Sequence, residues 1–134
     1  MLPVTSATIR LFLHVFAATV WVGGQFTLAG LVPGLRAISP DAPRAVARRF
    51  NRIAWPAFGV LIATGIWNLA EIDFMDASSE YQTTLLVKLF VVALSGISAA
   101  LHTQSASKRA LAIWGAVSGL SALGALFLGV QLHG

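Results

Sequence analysis

The chain has 134 residues, of which 57% are apolar and 10% are charged, and its formal net charge is +4. Soluble domains carry about 25% charged residues, so this composition argues against a soluble globular protein. Five of the nine basic residues lie in one short segment between two apolar runs, which is typical of a membrane flank and argues against nucleic-acid binding. The absence of cysteine excludes disulfides and thiolate metal sites.

Four apolar segments are long enough to cross a bilayer as helices, which requires about 20 residues each. In chain order they cover residues 9–35, 53–70, 84–102 and 111–132. Each segment is apolar on nearly all of its faces, whereas the helices of a soluble bundle carry a polar stripe. The pattern predicts an all-α, integral membrane four-helix bundle that forms one domain over residues 1–134 and lies in the cell (plasma or inner) membrane as a multi-pass protein.

The charges of the loops predict the orientation of the helices. The first loop and the start of the second helix carry five arginines: Arg36, Arg44, Arg48, Arg49 and Arg52. The second loop carries only acids: Glu71, Asp73, Asp76 and Glu80. The third loop carries Lys108 and Arg109. Because basic loops stay in the cytoplasm, we expect the N and C termini and the acidic loop on the outer side.

The arginine-rich segment is predicted to be helical. Residues 41–52 read as a cytoplasmic, basic extension of the second helix, because prolines near its start suit a first helical turn. The four basic side chains of this extension are expected to contact anionic lipid headgroups: Arg44, Arg48, Arg49 and Arg52.

Small residues predict close approach of the helices. Gly30 and Gly34 are four residues apart, as are Gly115 and Gly119, and this spacing lets helix backbones pack tightly. Ser95 and its small neighbours predict that the third helix also packs closely against another helix.

Few ionisable residues lie within the apolar runs, where they are costly and usually functional. His14, Lys88 and His133 are predicted near the outer leaflet, whereas His102 ends the third helix on the inner side. At about 1.5 Å per residue, His14 and His102 are roughly 20 Å apart in depth and cannot share one metal ion. His14 is interpreted either as a ligand or proton relay, or as a partner in a hydrogen bond to a neighbouring helix.

The first helix has a polar face that is expected to point into the protein. His14, Trp21 and Gln25 follow helical spacings of seven and four residues. Lipid would leave the imidazole and the amide without hydrogen-bond partners. His14, Trp21, Gln25 and Lys88 are therefore the candidate binding residues.

Three segments resemble the copper resistance protein D (CopD) family. They are LHVFAATVWVGGQF in the first helix, RRFNRIAWPAFGVLIATGIWNL in the second and VKLFVVALSGISAALH in the third. The resemblance implies a helical membrane protein of copper handling. Seven residues stand at positions of the matching pattern: His14, Trp21, Gly23, Gly24, Thr64, Gly65 and Lys88. The His and Lys pattern is also similar to HemJ-type protoporphyrinogen oxidases, which implies haem b, with His14 as an axial ligand.

Three functions follow as hypotheses. The first is copper binding or transport at an outer-leaflet site with His14, His133 and Met75 as candidate metal ligands. The second is a haem-binding redox protein. The third is an accessory subunit, and in each case we expect a homo-oligomer or a larger membrane complex. No Ser/His/Asp arrangement, phosphate loop or HExxH helix is visible, which argues against an enzyme.

Overall fold

The computed structural model describes residues 1–134 and is entirely helical apart from short loops. The first membrane-spanning helix, Ser6–Ile38, consists of α1 (Ser6–Ala18), one π-helical turn (Thr19–Gly23) and α2 (Gly24–Ile38). The others are α3 (Ala42–Ala70), α4 (Ser79–Gln104) and α5 (Lys108–His133). All four are long and apolar enough to cross a membrane. The prediction of an all-α chain with four such helices is confirmed.

The helices extend beyond the apolar runs because polar residues cap them. Ser78 Oγ accepts a hydrogen bond of 3.2 Å from the Tyr81 amide and starts α4. Ser107 Oγ accepts one of 3.1 Å from the Ala110 amide and starts α5. A capping hydroxyl satisfies an amide that the first helical turn leaves without a partner. The two helices therefore begin in the loops, at Ser79 and Lys108, before the apolar segments predicted from residues 84 and 111.

The chain divides into two compact units. The first unit, Met1–Ile72, contains the first membrane-spanning helix and α3, which pack against each other. In it α3 begins at Ala42 and runs without interruption through the arginine-rich segment to Ala70. The second unit, Asp73–Gly134, contains α4 and α5.

Small side chains form the contact between α4 and α5 in the second unit. Ser95 Oγ donates to the Ser118 carbonyl, and Ser118 Oγ donates to the Ser95 carbonyl, both over 3.1 Å. Ser98, Ser121 and Ala122 are also buried along this contact. The close approach predicted from the small residues of the third helix is confirmed. Within the first unit, a Cβ on Gly30 or Gly34 would meet nothing within 4 Å, so this pair does not mediate the packing of α2 on α3.

Candidate functional site

His14 forms a hydrogen bond to the neighbouring helix of the first unit. Its Nδ1 lies 2.8 Å from Oγ1 of Thr64, so α1 and α3 are joined by a polar contact in the middle of two apolar surfaces. Thr64 is only 4% exposed, and the imidazole is half-buried. An unsatisfied polar group is costly in a lipid environment, so this pair also favours the association of α1 with α3.

Gly65 adjoins this pair and lies beside the imidazole ring. A Cβ on Gly65 would lie 3.7 Å from Cε1 of His14, which is ordinary van der Waals contact. The ring thus lies next to position 65 of α3 while its Nδ1 bonds to the preceding residue, Thr64. Two segments singled out by the sequence, the histidine of the first helix and the Thr-Gly pair of the second, therefore meet.

A cationic group lies one helical turn before His14. The guanidinium of Arg10 is 3.5 Å from the carboxylate of Glu71 and 5.9 Å from the centre of the Trp67 ring. Its side chain is largely buried, whereas that of Glu71 is 55% exposed. Arg10 therefore covers the end of the α1–α3 contact, between His14 and the acidic loop. The spacing of four residues from Arg10 to His14 indicates a shared face, but the contacts of Arg10 with Glu71 and Trp67 could not be predicted from it.

Trp21 is the centre of an aromatic cluster further along the same contact. It lies in the π-helical turn, is 3% exposed and packs against Trp55 and Phe58, with ring centres 5.4 and 4.4 Å away. Such a geometry stabilises the helix pair through dispersion and edge-to-face contact. Gln25, in the first turn of α2, is half-buried. A cofactor contact for either residue stays a prediction.

Gly24 and Phe50 meet near the other end of this unit. A Cβ on Gly24 would overlap Cε2 of the Phe50 ring and lie 2.7 Å from its Cζ. Gly23, in contrast, has nothing within 4 Å of its Cβ position. Only the second glycine of the pair is thus needed for the packing of α2 on α3.

The other candidate residues belong to the second unit. Lys88 lies beside α5, where its Nζ is 3.2 Å from the Cβ position of Gly129. Met75 is 82% exposed in the acidic loop, and His133 is exposed at the end of α5. A joint site of these residues with His14 stays a prediction.

The imidazole of His14 is a type of ligand that binds copper, but the structure does not show the number of ligands that a complete copper site needs. Imidazole nitrogen is a ligand that copper accepts, and His14 supplies one. Within either unit, no three His, Cys, Asp or Glu side chains come together as they would in a complete metal site. His14 is therefore one fixed donor rather than a full coordination sphere.

The comparisons with known proteins identify the family. The family model described as "Copper resistance protein D" matches residues 44–130, which is about two thirds of the chain. The match includes Thr64, Gly65 and Lys88, while His14 lies before its first residue. No curated protein and no solved structure matches the chain. The match and the four apolar helices together show that the chain belongs to the copper resistance protein D family and is a multi-pass protein of the cell membrane related to copper resistance.

Proposed function

We propose that this protein binds or passes a copper ion at a site on the outer side of the membrane, built on His14. The observation that carries the proposal is the His14–Thr64 hydrogen bond of 2.8 Å, which holds an imidazole between two membrane-spanning helices. An ionisable side chain at such a position usually marks a site or a pathway. Membership of a copper resistance family supports copper as the ion.

A single fixed donor suits an ion that is passed on rather than stored. Copper held by one imidazole retains open coordination positions that water or a second donor fills, and it exchanges readily. Met75 and His133 are exposed and offer a thioether and a second imidazole, both ligand types that copper accepts. In this proposal they receive the ion at the surface, while Lys88 and the acidic loop shape the local field.

The orientation of the chain is part of the proposal. Arg44, Arg48, Arg49 and Arg52 are all exposed at the start of α3. Basic segments remain cytoplasmic and are attracted to anionic headgroups. We therefore place the start of α3 at the inner surface, and both termini and the acidic loop outside.

Assembly follows from the incomplete ligand set. Within either unit, no three His, Cys, Asp or Glu side chains come together, which supports a site completed by groups from a second chain. We propose that the protein acts as a homo-oligomer or as a subunit of a larger membrane complex. The mass of the detergent-extracted species, measured by light scattering, tests this; a monomer alone would contradict it.

Metal analysis of the purified protein tests the copper proposal. We expect the detergent-solubilised protein to bind copper in an equilibrium titration at equimolar loading, and the His14→Ala variant to lose this binding. His102→Ala is the matched control, because His102 bonds instead to the Leu111 carbonyl in the second unit. Absence of copper from the unaltered protein at equimolar loading would overturn the proposal. A Soret band in the absorption spectrum of the same preparation would indicate haem instead.

A further inference from the structure

The hydrogen bonds of Thr64 determine where the proton of the His14 ring lies. Thr64 Oγ1 is 2.8 Å from His14 Nδ1, 2.7 Å from the Val60 carbonyl oxygen and 3.2 Å from the Leu61 carbonyl oxygen. A threonine hydroxyl has one proton to donate, and a carbonyl oxygen can only accept. The short contact to Val60 therefore uses the hydroxyl proton, as in the common bond from threonine to the carbonyl four residues earlier in a helix.

The oxygen of Thr64 is consequently an acceptor toward the imidazole. The Nδ1 of His14 must carry the hydrogen of that bond. In the neutral ring, a proton on Nδ1 leaves the lone pair on Nε2, since one nitrogen is then a donor and the other an acceptor. The chain of bonds runs from the imidazole through the hydroxyl to the backbone of α3.

We infer that Thr64 is a positioning residue that holds His14 in the Nδ1–H tautomer, so that Nε2 is the nitrogen that binds copper. The inference rests on the proposed function and adds to it the ligating atom and the residue that orients it. In histidines that bind metals, the N–H of the second ring nitrogen generally donates a hydrogen bond to an acceptor, which fixes the tautomer and the orientation of the ring. Burial strengthens the effect here, because Thr64 is 4% exposed and water has little access to compete for the bond.

The geometry of α3 supports this role. Position 65, next to Thr64, also lies beside the ring, since a Cβ on Gly65 would be 3.7 Å from Cε1 of His14. The Thr64 hydroxyl is oriented by its bond to the Val60 carbonyl, so its oxygen is available to accept the hydrogen bond from the imidazole N–H. The residue that fixes the tautomer is thus itself held by its own helix.

Nitrogen-15 NMR of histidine labelled in the ring tests the inference. The spectra are recorded on the copper-free protein in detergent, at a pH at which the imidazole is neutral. The His14 signals are identified by their loss in His14→Ala. We expect an Nδ1–H ring in the unaltered protein and in Thr64→Ser, which keeps the hydroxyl. Thr64→Val keeps the shape but removes the acceptor, and we expect it to populate the Nε2–H form. His102 is an internal control, because its Nδ1 lies 2.8 Å from the Leu111 carbonyl and must also carry the proton.

Copper titration completes the test. We expect Thr64→Val to bind copper about 10- to 100-fold more weakly, the range seen when the hydrogen-bond partner of a metal ligand is removed. Thr64→Ser is expected to restore most of the affinity. An Nε2–H ring in the unaltered protein would overturn the inference, and this readout stands even if Thr64→Val does not fold. A changed tautomer with unchanged copper affinity would overturn the role of Thr64 in binding. Failure of the unaltered protein to bind copper would overturn the proposed function, whereas the tautomer would still be decided by NMR.

Discussion

Phe50 of α3 fills the space that any side chain at position 24 would need. The ring atom Cζ lies 2.7 Å from the Cβ position of Gly24, and Cε2 is closer still. Gly24 belongs to the Gly-Gly pair of the first helix, and Phe50 to the arginine-rich start of the second. With the His14–Thr64 bond, this contact gives the helix pair of the first unit a specific pairing at two separate places.

Gly24→Ala is expected to destabilise the protein by about 1–3 kcal/mol, the usual cost of overpacking. The added methyl group would force the Phe50 ring out of its place. Gly23→Ala is the matched control and should not destabilise the protein, since its Cβ would meet nothing within 4 Å and alanine favours the helix. Thermal unfolding in detergent, followed by circular dichroism, measures both. Equal effects of the two substitutions would contradict the packing described, and Phe50→Leu should partly rescue Gly24→Ala.

Ser95→Ala and Ser118→Ala are each expected to destabilise the second unit by about 0.6 kcal/mol, with an upper range near 1.7 kcal/mol, as measured for hydrogen bonds between membrane helices. Each substitution removes one of the two reciprocal 3.1 Å bonds between α4 and α5. Ser95→Leu should have a much larger effect, because the side chain is 1% exposed. Unfolding in a mixed-micelle titration is the measurement, and Ser79→Ala, at an exposed position, is the control. A Ser95→Leu protein as stable as the unaltered one would show that α4 and α5 do not pack through this face.

Arg10→Ala is expected to cost about 1 kcal/mol or more of stability, whereas Glu71→Gln should change it by less. The guanidinium is largely buried over Trp67, and such a cation–π contact is worth roughly 0.5–2 kcal/mol. Glu71 is 55% exposed and 3.5 Å from Arg10, and ion pairs of that kind contribute about 0–1 kcal/mol. Thermal unfolding at low and high salt separates the contribution of the cation–π contact from that of the ion pair, since salt screens only the ion pair appreciably. A larger loss for Glu71→Gln than for Arg10→Ala would contradict this order.

Single cysteines, introduced into a chain that has none, test the orientation. Met75→Cys should react with a membrane-impermeant maleimide in intact cells, because Met75 is exposed in the acidic loop. Ala45→Cys and Ala106→Cys lie at exposed positions of the two basic segments and should react only after permeabilisation. The reverse labelling pattern would place the termini in the cytoplasm and move His14 to the inner leaflet.

The number and the approximate extent of the helices could be predicted from the sequence because the bilayer sets the length of an apolar run. The helix faces that contact each other could not be predicted, because helices that are apolar on all sides give no indication of an inner face. Gly30 and Gly34 show this: their spacing indicates packing, yet within the first unit a Cβ on either would meet nothing within 4 Å. Contacts between helices were easier to predict where polar side chains interrupt the apolar runs. A hydrogen bond from His14 to a neighbouring helix was one of the two roles predicted for this residue. Thr64 could not be predicted as the partner, because the sequence does not show that α1 packs against α3.

The reciprocal serine bonds of the second unit also limit how that unit can move. A slide of α4 along α5 by even one residue would separate both hydroxyls from their carbonyls at the same time. Neither group would find water as a substitute at this buried position. Shear between these helices is therefore disfavoured, and α4 and α5 are expected to move together. The flexibility of the second unit is expected in its loops rather than in the contact between its helices.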